Sequence, residues 1–361
     1  MPSDIAPSPA SVSAPRSASF PLSDPTITML GGLVVVAAAI FSALAPSRFL
    51  SGDTLRAIAF QMPELGILSL AMMVPLMSGG LNLAIIATAN LCALVMAAIL
   101  THLIQPSTPP LIIAAVIVLS FLAGLVTALG IGFLTGAIVA FFGVHPILVT
   151  LGTMTLVKGT SVLATSGTVI GGFPPAILFL GNGSFFGIPV SLMLLILCAA
   201  IVAVILSHAP FGVSVRLIGS NERATRYSGV ATEWVLVGVY VLSSLLCWVA
   251  ALVMMARFNS ASAGYAESYL LVTILAAVLG GVDPFGGFGR VLGLLLSLLL
   301  LQVISTGFNL LGFSPYLTAA IWGITMILAI LIALLRDQWL VRFLRPSPAE
   351  SAALQTRNPE P

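Results

Sequence analysis

Charge is what this chain has least of. Charged residues make up 7% of it, against about a quarter in an ordinary soluble domain, so too few ionisable groups exist to cover the exterior of a water-soluble fold. Cysteine and histidine are scarce as well. Cys92, Cys198 and Cys247 all lie inside apolar runs, where a thiol acts as a small soft hydrophobe, and His102, His145 and His208 are scattered near the ends of such runs. That scatter suggests neither a disulfide framework nor a metal site. The 13 basic and 11 acidic residues leave a net charge of only +2. The basic patch of a nucleic-acid binder is therefore missing.

Apolar sequence fills the space that charge leaves. Of 361 residues 59% are hydrophobic, and the mean hydropathy is +1.17, so the solvent for most of the chain is lipid. The polar, Pro- and Ser-rich stretches 1–28 and 341–361 are expected to be cytoplasmic tails flanking a membrane domain over 29–340. Met1 to Pro25 lacks the form of a cleaved signal peptide, and Pro2, Pro7, Pro9, Pro15, Pro21 and Pro25 prevent a continuous helix there. At about 20 residues per span the membrane domain holds roughly ten helices. The expected fold is an all-α polytopic membrane protein.

Apolar runs between Pro, Gly and charge breaks place those helices near 27–46, 57–78, 84–104, 111–142, 147–166, 190–208, 234–256, 268–281, 290–311 and 316–335. The fourth is too long for one straight crossing, and Gly124, Gly130, Gly132 and Gly136 point to tilt, a break or close packing. The eighth is short, as a discontinuous helix beside a polar pathway would be. An even number of spans puts both ends on one side. With a cytoplasmic N-terminus the inside receives Arg216, Arg223, Arg226, Arg290, Arg336, Arg342 and Arg345, and the outside Arg48, Arg56 and Arg257, so both termini are expected in the cytoplasm. Lys158, near the outer end of span five, is expected to snorkel.

One internal echo is present. Gly143-Val144-His145-Pro146-Ile147-Leu148 is matched by Gly312-Phe313-Ser314-Pro315-Tyr316-Leu317. In this topology the two precede spans five and ten on opposite faces, as an inverted repeat requires.

Polar residues in so apolar a chain are the candidates for function. The longest charged connection, 209–233, has Asn221 placed to cap a short helix from Glu222 to about Ser228, with Arg226 towards its end and Gly229 stopping it. Such a helix suits docking of another protein; the plain alternative is a solvated basic loop that sets topology. Glu64 lies inside span two, in Gln61-Met62-Pro63-Glu64-Leu65-Gly66, and an intramembrane carboxylate is a functional candidate by default. It either faces a translocation pathway or hydrogen-bonds between helices. The same pair of readings holds for Asn82, Thr88 and Asn90. Glu267 and Asp283, at span ends, are expected to be solvated.

Four ordered stretches carry a family resemblance. Gly219-x-Asn221-x-x-Ala224-x-x-x-Ser228-Gly229-Val230 resembles the cytoplasmic coupling loop of the ribose-type sugar ABC importer permeases. Gly79-Gly80-Leu81-Asn82-Leu83 resembles that family's Gly-Gly-Ile-Asp-Leu-Ser segment, and Gly143 to Met154 its Pro-Phe-Ile-x-Thr-Leu-Gly-Thr-Met segment. Leu279 to Asp283 with Gly286-Gly287-Phe288-Gly289-Arg290-Val291-Leu292-Gly293 resembles its paired-glycine segment, and Asn309-Leu310-Leu311-Gly312 extends the likeness to span ten. There are departures: Asn82 stands for the usual Asp, Ala84 for Ser and Thr225 for Ala, while Ile85, Ile86 and Ala87 replace the usual Val-Gly.

The resemblance implies a type II ABC importer-like permease subunit in a bacterial inner membrane. It implies pairing with a second copy or a paralogue, cytoplasmic ATP-binding subunits that hold ATP and magnesium, and a periplasmic substrate-binding protein. The coupling residues it implies are Gly219, Asn221, Ala224, Ser228 and Gly229, to which the charged residues Glu222, Arg223 and Arg226 of the same loop are added as candidates. The expected function is passage of a sugar or related polyol. No cofactor is expected in this chain, since Gly152 to Lys158-Gly159 lacks the Gly-Lys-Ser/Thr ending that cradles phosphate and magnesium. A proton- or sodium-coupled secondary transporter is the alternative, but it needs an ion relay at depth, and Glu64 is nearly alone. A polytopic enzyme would cluster catalytic His, Asp or Cys at a membrane face, and no such cluster is seen.

Overall fold

The computed structural model describes residues 25–314 apart from 106, together with 316–317, 320–324 and 327. The expected tenth span, 316–335, lies mostly outside the described residues, and so do nearly all of both polar tails. The described helices are α1 (Pro25–Leu44), α2 (Pro46–Phe49), α3 (Gly52–Met77), α4 (Ile85–Leu103), α5 (Pro110–Phe142), α6 (Pro146–Thr165), α7 (Pro175–Asn182), α8 (Val190–His208), α9 (Pro210–Tyr227), α10 (Thr232–Phe258), α11 (Tyr269–Leu279) and α12 (Val291–Leu310). Eight of them, α1, α3, α4, α5, α6, α8, α10 and α12, are long and apolar enough to cross a membrane. The protein is an all-α polytopic membrane protein.

The eighth expected span is a shorter thing than 268–281 suggested. It is α11, an 11-residue helix that rises about 16 Å and cannot cross a bilayer alone. The rest of its crossing is made by irregular chain, 259–268, described below. The connection expected over 209–233 is also different: helix begins at Pro210, where proline is well suited to a first turn. Gly212, Val215 and Ile218 are buried at helical spacing, an apolar stripe that the charged residues around it obscure.

α3, α4 and α10 form the centre. α3 starts at Ser51, whose hydroxyl accepts the Thr54 N–H at 3.3 Å, with Asp53 in the first turn, and it is buried from Pro63 through Met77. α5, at 33 residues, is unbroken, so its length of about 50 Å is taken up by tilt. A β-carbon on Gly132 would stand 2.9 Å from the Tyr240 carbonyl oxygen, and one on Gly136 2.8 Å from the Val237 Cα. Close packing of α5 on α10 is therefore what these glycines serve.

Small pairings complete one end. β1 (Ile170–Gly171) pairs antiparallel with β4 (Ser260–Ala261), and β2 (Ser184–Phe185) with β3 (Ile188–Pro189). This end and the end carrying α9 lie on opposite faces of the bundle. The two echoed turns share a build: Gly143 and Gly312 both have positive φ, at 63° and 80°. The Leu148 N–H donates to the His145 carbonyl at 3.0 Å, as the Leu317 N–H donates to Ser314 at 3.0 Å.

Candidate coupling face and translocation pathway

α9 is two helical pieces joined at Asn221, whose backbone leaves helical geometry at φ −163°, ψ 100°. The Asn221 side-chain oxygen accepts the Ala224 N–H at 3.0 Å, and the Thr225 hydroxyl donates to the Asn221 carbonyl at 2.8 Å. These bonds start a second helix whose last turn is closed by Ser228, its hydroxyl on the Ala224 carbonyl at 3.0 Å. Gly229 follows at φ +82°, the left-handed turn glycine takes without a Cβ penalty. Arg226 reaches Glu222 at 3.4 Å and Glu233 at 3.0 Å. Such exposed pairs add little stability, but they fix which way the segment presents its charges. Glu222, Arg223, Ala224 and Tyr227 stay exposed. Two open clefts flank them. One, of about 480 Å³, is lined by Phe141, Arg226, Glu233 and Trp234 among others, and one of about 400 Å³ by Glu222, Arg223, Arg226 and Tyr227.

The first piece of α9 is wedged into the bundle at Gly219. A β-carbon there would overlap the Met77 carbonyl oxygen and the Gly287 amide nitrogen. The Gly287 N–H in turn donates to the Met77 carbonyl at 2.9 Å. The turn 280–290 is held from within, as the Asp283 carboxylate accepts the Phe285 N–H at 2.8 Å and the Asp283 N–H donates to the Phe288 carbonyl at 3.0 Å. Asp283, expected to be solvated, keeps partial exposure while its carboxylate orders this turn. Three glycine-bearing stretches far apart in sequence thus converge on one junction between α9, the end of α3 and the α11–α12 turn.

The other sequence candidates lie inside the bundle. Glu64 on α3 is 2% exposed. Its Oε1 accepts the Tyr269 hydroxyl at 2.9 Å and lies 2.9 Å from Arg257 Nη1, while its Oε2 has no hydrogen-bond partner among the described residues. Asn82 donates to the Ser243 hydroxyl at 2.9 Å and accepts the Ala84 N–H at 3.1 Å, and Ser243 donates to the Ala71 carbonyl at 2.7 Å. Asn90 on α4 donates to the Ala263 and Tyr265 carbonyls at 3.0 and 2.9 Å. Thr88 is buried, and its hydroxyl has no hydrogen-bond partner among the described residues. In this conformation all four are enclosed by protein.

Asn90, five residues into α4, holds carbonyls of the segment that leaves α10 at the face opposite α9, and that segment leads into α11, only 11 residues from the turn packed on Gly219. Residues 259–268 therefore turn back into the span. Irregular backbone survives at that depth only where protein or water satisfies it, and here it is satisfied by Asn90, by the β1–β4 pairing and by Ser260 bonded to the Tyr265 hydroxyl at 2.7 Å. Glu267, on this segment, is half exposed as expected of a solvated residue, and it pairs with Lys158, likewise half exposed: Lys158 Nζ lies 2.8 Å from Glu267 Oε1. The periodic pattern carried no sign of this pair or of the Arg257–Glu64 pair, since both join residues remote in sequence. The shortness of span eight was the one available hint.

Residues 54–330 match the family described as the branched-chain amino acid transport system / permease component. The chain belongs to that family. The permease is 30% identical over 307 residues to the autoinducer 2 import system permease protein LsrD of Photorhabdus laumondii, covering 83% of this chain and 89% of the relative. LsrD of Yersinia enterocolitica gives the same identity and coverage, and LsrD of Salmonella typhi is 31% identical over 297 residues, covering 80% and 86%. No solved structure matches the permease. It is thus a transporter component of the ABC-importer permease type rather than an enzyme, and the family resemblance read from its sequence is confirmed.

Proposed function

We propose that this permease carries a sugar-like, polyhydroxylated solute inward across a bacterial inner membrane, powered by separate ATP-binding subunits that grip α9. The single observation that supports coupling at α9 is the Gly219 junction: the exposed residues 222–224 and 226–227 lead through Asn221 to a backbone packed directly on the end of α3 and on the α11–α12 turn, with no side chain between. Close-packed contacts of this kind transmit displacement between discrete arrangements rather than absorbing it. ATP and magnesium belong to the partner subunits in this reading.

The arginines support a cytoplasmic α9 face, since Arg216, Arg223, Arg226 and Arg290 lie there, and in this reading both termini are cytoplasmic. Similarity to autoinducer 2 import permeases supports import, and the resemblance to sugar importer permeases favours a sugar or related polyol, delivered by a periplasmic binding protein to a pathway formed with a second copy or a paralogue. Glu64, Asn82 and Asn90 serve that pathway by holding its walls. In proteoliposomes holding the permease with its ATP-binding subunits, solute-loaded binding protein outside and ATP inside should drive uptake. Concentrative uptake by the permease alone, on an ion gradient and without ATP, would overturn the reading.

A further inference from the structure

α6 differs from the other outer helices. Every exposed residue of α5 is apolar or glycine, with Val118, Leu122, Val126 and Phe133 in its middle turns, and the exposed middle of α8 carries Ile196, Leu197, Ile201 and Val204. These faces suit lipid. The exposed face of α6 sets Thr155, Lys158 and Thr160 among Leu148, Leu156 and Leu163. Thr155 and Thr160 return their hydroxyl hydrogens to the carbonyls of Leu151 and Leu156, which helices tolerate in lipid, so the weight falls on Lys158.

Lys158 is the chain's one lysine, about 10 Å short of the end of α6. Its ammonium is drawn not outward but across to Glu267, on the segment that turns back into the span. A half-exposed ion pair at that depth is unfavourable against hydrocarbon and at home beside water. Its acidic partner is firmly placed. Asn90 holds the carbonyls of Ala263 and Tyr265 just before it, Ala266 is fixed in the left-handed region at φ +57°, and Tyr269 is tied to Glu64 just after it.

We propose that Lys158 and Glu267 line the aqueous path of the permease and set its charge selectivity, admitting neutral polyhydroxylated solutes. This rests on the importer reading above. The ammonium has three N–H donors and spends one on Glu267, and the carboxylate keeps acceptor sites to spare. Donor and acceptor then stand side by side, which matches a hydroxyl group acting as both. Because the pair carries no net charge, it draws in neither anions nor cations. Removing either partner leaves a single charge facing the solute.

The test uses Thr155→Cys, one turn from Lys158, in a permease whose three natural cysteines are buried. The assembled importer in membranes is treated with membrane-impermeant methanethiosulfonates, one cationic and one anionic. Both should modify the new thiol at similar rates. Adding Glu267→Gln should raise the anionic-to-cationic rate ratio about tenfold, and adding Lys158→Met should lower it by a similar factor, as expected for one unpaired charge several ångströms away in a partly aqueous site. Both variants are first shown to reach the membrane at parental levels. No reaction with either reagent would mean that the face meets lipid, where a thiol stays protonated, or is covered, and an unchanged ratio that the pair sets no field; each overturns the proposal. Failure of the importer reading would register separately, as absence of ATP-driven uptake by the parent assembly.

Discussion

A β-carbon built on Gly286 would stand 2.8 Å from the Gly219 Cα and 2.7 Å from the Gly79 amide nitrogen. Three backbones, from α9, the α11–α12 turn and the α3–α4 turn, therefore meet where no side chain fits. Gly219→Ala forces them apart, since its methyl group would overlap the Met77 carbonyl and the Gly287 amide. Overpacking of this kind costs about 1–3 kcal/mol. The variant should melt earlier in detergent and, in the assembled importer, hydrolyse ATP with less solute moved per ATP. An unchanged ratio of uptake to hydrolysis would show that the junction carries no motion. Gly229→Ala is the comparison: nothing crowds that position, and only its φ of +82° resists a side chain, at about 1–2 kcal/mol. Its effect on uptake should be the smaller.

Asn221 breaks α9 and starts the piece that a partner would grip. Asn221→Ala removes the acceptor for the Ala224 N–H, a loss of about 0.5–2 kcal/mol to the helix that follows. The expected sign is local: amides of 224–227 should exchange with deuterium several-fold faster while the melting temperature barely moves. Asn221→Asp keeps an acceptor in place and should restore protection. Equal exchange in all three proteins would show that the cap does not hold this segment.

The sequence was most legible where one residue type decides a local conformation. Asn221 reads as a cap because its side chain can bond an N–H a few residues on, and Gly229 as a stop because glycine is at ease at positive φ. The long apolar runs likewise read as spans. What could not be read was pairing at a distance. Nothing near Glu64 in sequence points to Arg257 or Tyr269, and nothing near Lys158 points to Glu267, because the first tie depends on how α10 packs on α3 and the others on the depth to which 259–268 re-enters. The start of α9 was missed for a different reason: Arg216 and the adjacent glycines dilute an apolar stripe that only burial of Gly212, Val215 and Ile218 reveals.

The Glu64–Arg257 tie predicts a mutational signature. Glu64 is almost wholly enclosed, and the Arg257 side chain is 21% exposed, so truncating either leaves its partner's charge in an apolar setting. Removing one partner of a buried pair costs about 3–5 kcal/mol, whereas replacing both by apolar residues of similar volume is often neutral. Arg257→Met should lower the melting temperature sharply, and Glu64→Leu with Arg257→Met should recover most of it. If the double variant is as unstable as the sum of the singles, the two residues act independently and the tie is not an energetic unit.

Asn90 separates a wall-holding role from a solute-contacting one. Its amide nitrogen serves two carbonyls of the re-entrant segment, so Asn90→Ala leaves both acceptors unsatisfied, at about 1–3 kcal/mol each in a buried setting. Asn90→Asp is nearly the same size but turns a carboxylate oxygen towards those carbonyls, and it should be the worse of the two. A residue that only touched solute would show the reverse, since a carboxylate still accepts from sugar hydroxyls and alanine does not. Labelling of a cysteine placed at Ser262, which neighbours the held carbonyls, reads the difference without any transport: its rate should rise from the parent to Asn90→Ala and again to Asn90→Asp. A rate unchanged in both variants would mean that the segment keeps its depth without Asn90.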